Sequence, residues 1–294
     1  MNIVLHVNSF LPHVGGREIV VHYLARELHR SGHRVRVLGP SGWIRHRGMK
    51  CEYPVHRWPT LRGAASEAVY RARLRLDLMF FGADIIHAHS TYPCGYTVAT
   101  VGSRQRLPLV ITPHGEDIHM IPKIGFGLRL NPVLDKKIKV ALKHAQFLTA
   151  ISGSIKQSLL NAGAAEGKIF EIPNGIDLER FQGDAKPGIK EKLGLAETAK
   201  IILSVGNYHP RKGHEILIRS MPEILRCHPD ARLVIVGRNP EVLEKLTTEC
   251  GLMDKIVLTG PIHFSPSHTG NRNGVGNEND LLAELYKVCD LYVS

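Results

Sequence analysis

Arg211 and Lys212 are the side chains whose setting best suits chemistry. They stand between the apolar, β-branched run 201–205 and a helical pattern in which Ile216, Leu217, Met221, Ile224 and Leu225 recur at spacings of three and four. The run suits a strand buried on both faces of a parallel sheet. The turn between carries Gly206, Pro210 and Gly213. Strand, turn and helix place both cations at the carboxyl edge of a sheet, beside a helix N-terminus. Unpaired amides and the helix dipole favour an anion there. A diphosphate fits such a place. The plain alternative is a pair of solvated loop charges.

A second candidate is the loop 11–18, which follows a first strand at 3–10 and contains Gly15 and Gly16. Paired glycines let the backbone approach a ligand with its N–H groups exposed, or simply make a tight turn into a helix. The loop lacks G-x-G-x-x-G, so the dinucleotide fingerprint of oxidoreductases is absent. A third cluster, His114, Glu116 and Asp117, directly follows the strand 109–112 and again falls at a ligand-binding edge. His87 and His89 share one face of a strand at 84–90 and raise the question of a metal. No carboxylate or Cys accompanies them at ligand spacing, and no metal is expected.

These residues need a repeated strand–helix frame to position them. A helix over 18–30, with Val20, Val21, Leu24 and Leu28 as its apolar stripe, ends at Ser31-Gly32 and leads to a strand at 35–38. Residues 61–81 read as a basic helix, with Leu74, Leu78 and Met79 among its apolar positions. It is either an ordinary surface helix or one lying on an anionic membrane. Residues 118–131 read as a long Gly/Pro-containing loop of the functional or mobile kind. Helix 133–144, strand 147–151, a helix capped by Ser152 and strand 168–172 complete a first domain, residues 1–182. The polar stretch 182–187 is the linker. The second domain, residues 183–294, continues with strands at 231–237 and 255–260 and helices at 240–250 and 281–289. Residues 263–279, rich in Gly, Asn, Ser and His, read as a flexible insertion, and a further strand starts at 290.

The 294 residues exceed the usual size of one domain. A net charge of +11 suits nucleic acid, a membrane surface or an anionic substrate. The basic residues are scattered, with no run of five and no nucleic-acid motif, so no nucleic-acid partner is expected. The five cysteines are odd in number, far apart and never in a C-x-x-C pair, which points to reduced thiols in the cytoplasm. Met1 leads straight into a strand with no signal peptide, and no apolar run reaches about 18 residues.

Read together, the motifs resemble the large GT-B family of retaining glycosyltransferases, group 1 or family 4. Gly15-Gly16-Arg17-Glu18 resembles the family's G-G-x-E near the donor diphosphate. His114-Gly115 resembles its His-Gly, whose His contacts the donor sugar. Ile172 to Asp177 with Phe181 resembles the marker that closes the first domain. Val205-Gly206 with Arg211-Lys212-Gly213 resembles the donor-phosphate loop. Residues 233–237, 257–260 and Leu285-Tyr286 with Cys289-Asp290 resemble the elements that follow. The resemblance implies an α/β fold of GT-B architecture: two Rossmann-like domains whose parallel sheets face a cleft. It implies sugar transfer, with retention, from a nucleotide-diphosphate sugar to a carbohydrate, lipid or small-molecule acceptor, without a cofactor or metal. His114 would be the catalytic-side residue, and Gly15, Gly16, Arg211 and Lys212 would bind diphosphate. Val205, Gly206, Gly237 and Arg238 would bind nucleotide, and Glu116 and Asp117 would lie toward the acceptor and sugar. Localisation would be cytoplasmic or peripheral at the inner membrane face.

Two departures stand out. Arg238-Asn239-Pro240 replaces the family's G-x-G-P after Gly237. The family's Glu-x7-Glu, which holds ribose and donor sugar, would fall beyond Ser294. The second domain is therefore expected to be incomplete and the chain by itself inactive. The alternatives are a GT-B sugar-nucleotide epimerase, with Glu116 and Asp117 as its carboxylate pair, and a non-catalytic nucleotide-sugar-binding module.

Overall fold

The computed structural model describes residues 1–41, 51–59, 65–102, 107–262 and 280–294. The expected insertion at 263–279 and the start of the basic helix at 61–64 lie outside the described residues. The chain divides into two compact units, Met1–Ile176 and Asp177–Ser294. The division falls a few residues before the expected 182/183. Arg180 is paired with Asp280, and the Lys186 amide donates to Glu284, so the stretch read as a linker is fastened to the second unit.

In the first unit the described strands and helices run β1 (Asn2–His6), α1 (Gly16–Arg30), β2 (Arg34–Ser41), β3 (Val55–Pro59), α2 (Ala65–Phe81), β4 (Ile85–Ala88), α3 (Tyr96–Gly102), β5 (Leu109–Ile111), α4 (Pro132–His144), β6 (Phe147–Ala150), α5 (Gly153–Asn161) and β7 (Ile169–Glu171). All pairings are parallel, in the order β3-β2-β1-β4-β5-β6-β7. Strand order reverses between β1 and β4, and there the strand ends open a crevice. Both faces are covered: Val4, Ile86, Ile111 and Leu148 join Leu74, Leu78, Ile138 and Leu142 in a core on one face, and Ile3, Leu5, Val35 and Val37 are buried on the other. Continuous apolar strands follow from that double burial.

The second unit contains α6 (Ile189–Lys192), β8 (Lys200–Val205), α7 (His214–Cys227), β9 (Ala231–Val236), α8 (Glu241–Glu249), β10 (Ile256–Gly260), α9 (Leu281–Val288) and β11 (Leu291–Tyr292). Its described strands pair in parallel as β10-β9-β8-β11, which puts a reversal at β8. Leu233, Ile218, Met221 and Leu243 pack on one face, and Leu203, Val234 and Leu285 on the other.

Three expectations change. Of the expected stripe Val20, Val21, Leu24 and Leu28 on α1, Val21 is buried and the other three are half-buried; the buried face is Glu18, Val21, His22, Ala25 and Arg26, with His22 Nδ1 bonded to the Tyr53 hydroxyl at 2.6 Å. On α2 and α7, Met79 and Ile216 point outward, while Leu74, Leu78, Ile218 and Met221 point inward. Residues 118–131 are a pinned segment. Two 3-10 turns, Pro122–Ile124 and Leu128–Leu130, flank an Ile121–Phe126 bridge. Buried Arg129 holds Asp135 at 2.8 Å, and a Cβ at Gly127 would lie 2.0 Å from the His119 carbonyl oxygen.

Candidate functional site

At the reversal of the first sheet, four histidines converge from separate segments. His6 ends β1, His87 and His89 come from the end of β4, and His114 follows β5. The His87 and His89 rings stack at 4.2 Å, and His89 and His114 at 5.5 Å. His87 Nε2 bonds the Thr112 hydroxyl at 2.7 Å, and His6 Nδ1 donates to the Leu38 carbonyl at 3.3 Å. His89 Nδ1 and His114 Nε2 lie 3.3 Å apart, so one ring supplies the N–H and the other the lone pair. Burial drives the pKa values of His6, His87 and His114 down to about 4 and that of His89 well below its ordinary value. Neighbouring rings and Arg17 push His89 and His114 the same way. The array is therefore neutral near pH 7. Among the described residues no three His, Cys, Asp or Glu side chains form a metal cluster.

Asp117 positions this edge. It is 5% exposed, and its carboxylate accepts the Thr91 amide at 2.7 Å and the His114 amide at 2.9 Å. Burial raises its pKa against the pull of those amides. Both oxygens are committed to backbone, so Asp117 acts through the loop that carries His114. Glu116 is exposed beside it.

The loop after β1 is also built for charge. Gly15 precedes α1, and a Cβ there would lie 2.6 Å from Glu18 Oε2, whereas a Cβ at Gly16 would meet nothing within 4 Å. Gly15 thus makes room for the Glu18 carboxylate, which accepts from the Ser9 hydroxyl and from Arg17 Nη2 at 3.1 Å. Burial alone would raise the Glu18 pKa; Ser9 and the Arg17 guanidinium outweigh it and hold it low. The first-turn amides of α1 point out of the helix over this loop.

In the second unit the loops after β8 and β9 are sewn together. The Gly206 amide donates to Val236 at 2.8 Å, the Tyr208 amide to Arg238 at 3.0 Å, and the Arg238 amide to the Asn207 side chain at 3.0 Å. A Cβ at Gly237 would sit 1.9 Å from the Gly206 carbonyl oxygen, so only glycine permits this approach. Val205 ends β8 directly beneath. Residues Pro210–Lys212 form a 3-10 turn in which His209 Nδ1 accepts the Arg211 amide at 3.1 Å. Gly213, at φ +67°, then turns the chain into α7. The Lys212 stem lies over Gly206, where a Cβ would be 2.8 Å from Lys212 Cε. Burial and then Arg211 lower the Lys212 pKa. His214, 2% exposed, has neither ring nitrogen hydrogen-bonded; burial and then Lys212 lower its pKa. Asn239, at φ +61°, occupies the left-handed conformation. That explains the departure from G-x-G-P, since Asn tolerates this region better than most residues after Gly.

Each unit thus gathers its own sequence candidates: His114, Glu116 and Asp117 lie near Gly15 and Gly16 at one sheet edge, and Arg211 and Lys212 near Val205, Gly206, Gly237 and Arg238 at the other. Sequence reasoning missed His6 and His214 as members and named Arg17 and Glu18 only within the G-G-x-E motif. The signal was present in a histidine closing β1 and in the charged pair completing the glycine loop.

The family model described as Glycosyltransferase Family 4 matches residues 14–180, and that described as Glycosyl transferases group 1 matches residues 185–266. The GDP-mannose-dependent alpha-(1-6)-phosphatidylinositol monomannoside mannosyltransferase of Mycolicibacterium smegmatis is 26% identical, over 90% of this chain and 69% of its own length. A phosphatidylinositol N-acetylglucosaminyltransferase polypeptide of Arabidopsis thaliana is 23% identical, over 90% of this chain and 59% of its own length. The chain thus spans roughly three-fifths to two-thirds of these relatives. The structure of Anabaena HepE in complex with UDP and glucose superposes with a TM-score of 0.74 at 19% identity, covering 99% of this chain and 73% of that one.

Proposed function

The chain belongs to the group 1, family 4 type of glycosyltransferases, and from that premise we propose that it moves a sugar from a nucleotide-diphosphate sugar to an acceptor hydroxyl with retention of anomeric configuration. The observation that carries the reading is the second-unit edge. Two glycine-bearing loops close on each other there, and Arg211 and Lys212 stand at the start of a long helix. Negative charge develops on the diphosphate as the glycosyl bond breaks. Fixed cations and preoriented amides stabilise such charge without reorganising. In this reading Arg211 and Lys212 take the place a metal ion fills in other transferases, and Val205, Gly206, Gly237 and Arg238 border the nucleoside.

On the first unit, Gly15 and Gly16 are assigned to the donor phosphates and His114 to the donor sugar, on the strength of the family resemblance. The neutral His89 supports that role for His114, because its ring contact fixes the orientation of a group that must hydrogen-bond rather than carry charge. No side chain is assigned as a nucleophile. The relatives' names carry phosphatidylinositol acceptors, which favours a carbohydrate- or lipid-borne hydroxyl as acceptor here and action at the cytoplasmic membrane face. The epimerase alternative needs a free carboxylate pair, and the amide bonds of Asp117 leave Glu116 alone.

Calorimetric titration with UDP, GDP and ADP tests the reading. Arg211→Ala and Lys212→Ala should each weaken binding of the preferred nucleotide by about 1.5–3 kcal/mol, the worth of a charged hydrogen bond to phosphate. Unchanged affinity in both variants overturns the phosphate role. In a longer form that carries the family's Glu-x7-Glu, turnover of the matching nucleotide sugar should persist in the presence of a chelator.

A further inference from the structure

Helix α2 is apolar on two sides, and the fold uses only one. Leu74, Leu78 and Phe81 are buried against the first sheet. The opposite side presents Val69 at 47% exposure, Leu76 at 49%, Met79 at 57% and Phe80 at 80%. Val69, Leu76 and Phe80 follow one another at helical spacings of seven and four, with exposed Ala72 beside them and exposed Arg73 on one flank. Exposed Arg75 borders the stripe on its other flank. Two other charges of the helix point elsewhere: Arg71 lies over the Tyr96 ring, and Asp77 accepts from Trp58 Nε1 at 2.7 Å and faces His56. A contiguous apolar stripe on a water-facing helix is unusual unless something covers it.

We propose that this outer face of α2 is a docking surface for an anionic lipid bilayer. Phe80, Leu76, Met79 and Val69 enter the boundary between headgroups and acyl chains. Arg73 and Arg75, one on each flank, meet the anionic headgroups. A second copy of the chain, the competing occupant, would bring the same arginines against each other across an isologous contact in a protein already at net charge +11. An anionic membrane complements both the apolar stripe and its cationic borders. The geometry also suits a peripheral interaction, since among the described residues no helix is long and apolar enough to cross a membrane. The inference does not depend on the transferase reading, because lipid binding and nucleotide binding are measured separately.

The experiment is co-sedimentation of the full chain with vesicles of phosphatidylcholine alone or mixed with phosphatidylglycerol, at low and raised salt. The wild type should sediment with the anionic vesicles only, and less as salt rises. The double variant Leu76→Ser, Phe80→Ser should lower the partition coefficient at least about tenfold, given the apolar area withdrawn. Arg73→Glu with Arg75→Glu should abolish the preference for anionic lipid. All four positions are exposed, so melting curves and nucleotide affinity should match the wild type and separate lost docking from lost folding. Binding of the Ser variant equal to wild type overturns the proposal. So does a dimer of the wild type, seen by light scattering without lipid, that the Ser variant dissolves, because the stripe then belongs to a second copy.

Discussion

The edges of the two sheets occupy the same topological place and carry opposite chemistry. At the first, the His87, His89 and His114 rings stack in series, His6 lies near enough to act on His89 through charge, and all four are held neutral. At the second, Gly206 and Gly237 clear side chains away and Arg211 and Lys212 supply positive charge. The parallel frame decides where a ligand edge lies. What that edge offers depends on how much water its side chains keep. Withdrawn from water, the imidazoles shed their protons and serve as oriented hydrogen-bonding groups. Lys212 lies against a glycine and Arg211 remains exposed, so charge persists there.

The largest test of this contrast is pH. The histidines of the first edge have folded pKa values below their unfolded ones, so the unfolded chain binds more protons between the two. Stability of the first unit should be full above about pH 6.5 and fall as pH drops towards about 4, by on the order of 3 kcal/mol for a single buried histidine such as His6. Arg17 and the neighbouring rings deepen the effect, and Glu18 opposes it. Trp58 is buried in the core of the first unit and residues 177–294 contain no tryptophan, so tryptophan fluorescence followed through thermal melts at several pH values does not report on the second unit. A flat profile over that interval would mean the rings are not desolvated as packed.

Next in size is Asp117→Ala, which strips the acceptor from two backbone amides. Each orphaned buried donor costs about 1–3 kcal/mol, so the first unit should melt lower by a clear margin. If His114 depends on that loop, catalytic turnover should fall while affinity for the bare nucleotide holds. Equal losses in both would make Asp117 a general stabiliser and blur the contrast between the edges.

The smallest effect is expected at Asn239→Gly. Glycine relieves the left-handed strain at φ +61°, but the unfolded chain gains freedom, so the net change in second-unit stability should be at most about 1 kcal/mol. Chemical denaturation followed by far-ultraviolet circular dichroism would read it. A large loss would mean that the Asn239 side chain, and not its backbone conformation, holds the loop.

Much of the frame was legible in the chain. The runs 3–5, 109–111 and 201–203 are apolar without alternation, as in parallel strands covered on both faces. Gly206, Arg211, Lys212, Gly213 and Gly237 were legible for a local reason: each lies within a few residues of a strand end, where turn chemistry and helix start coincide. The outward turn of Met79 and Ile216 was not, because helical periodicity marks apolar faces without saying which one meets the sheet. Nor was the full role of Asp117: its bond to the His114 amide is local, but Thr91 reaches it only through the packing of a neighbouring strand end.

The chain by itself therefore determined the alternation of strands and helices, the glycines that shape both loops and the cationic pair beside α7, because these depend on contacts between near neighbours. Tertiary structure alone decided that His6, separated by more than eighty residues from His87 and by more than a hundred from His114, would end at the same sheet edge and be held neutral there with them. Strand order puts β1 beside β4 and β4 beside β5. That adjacency desolvates the rings and sets their charge, and no local pattern in the sequence encodes it.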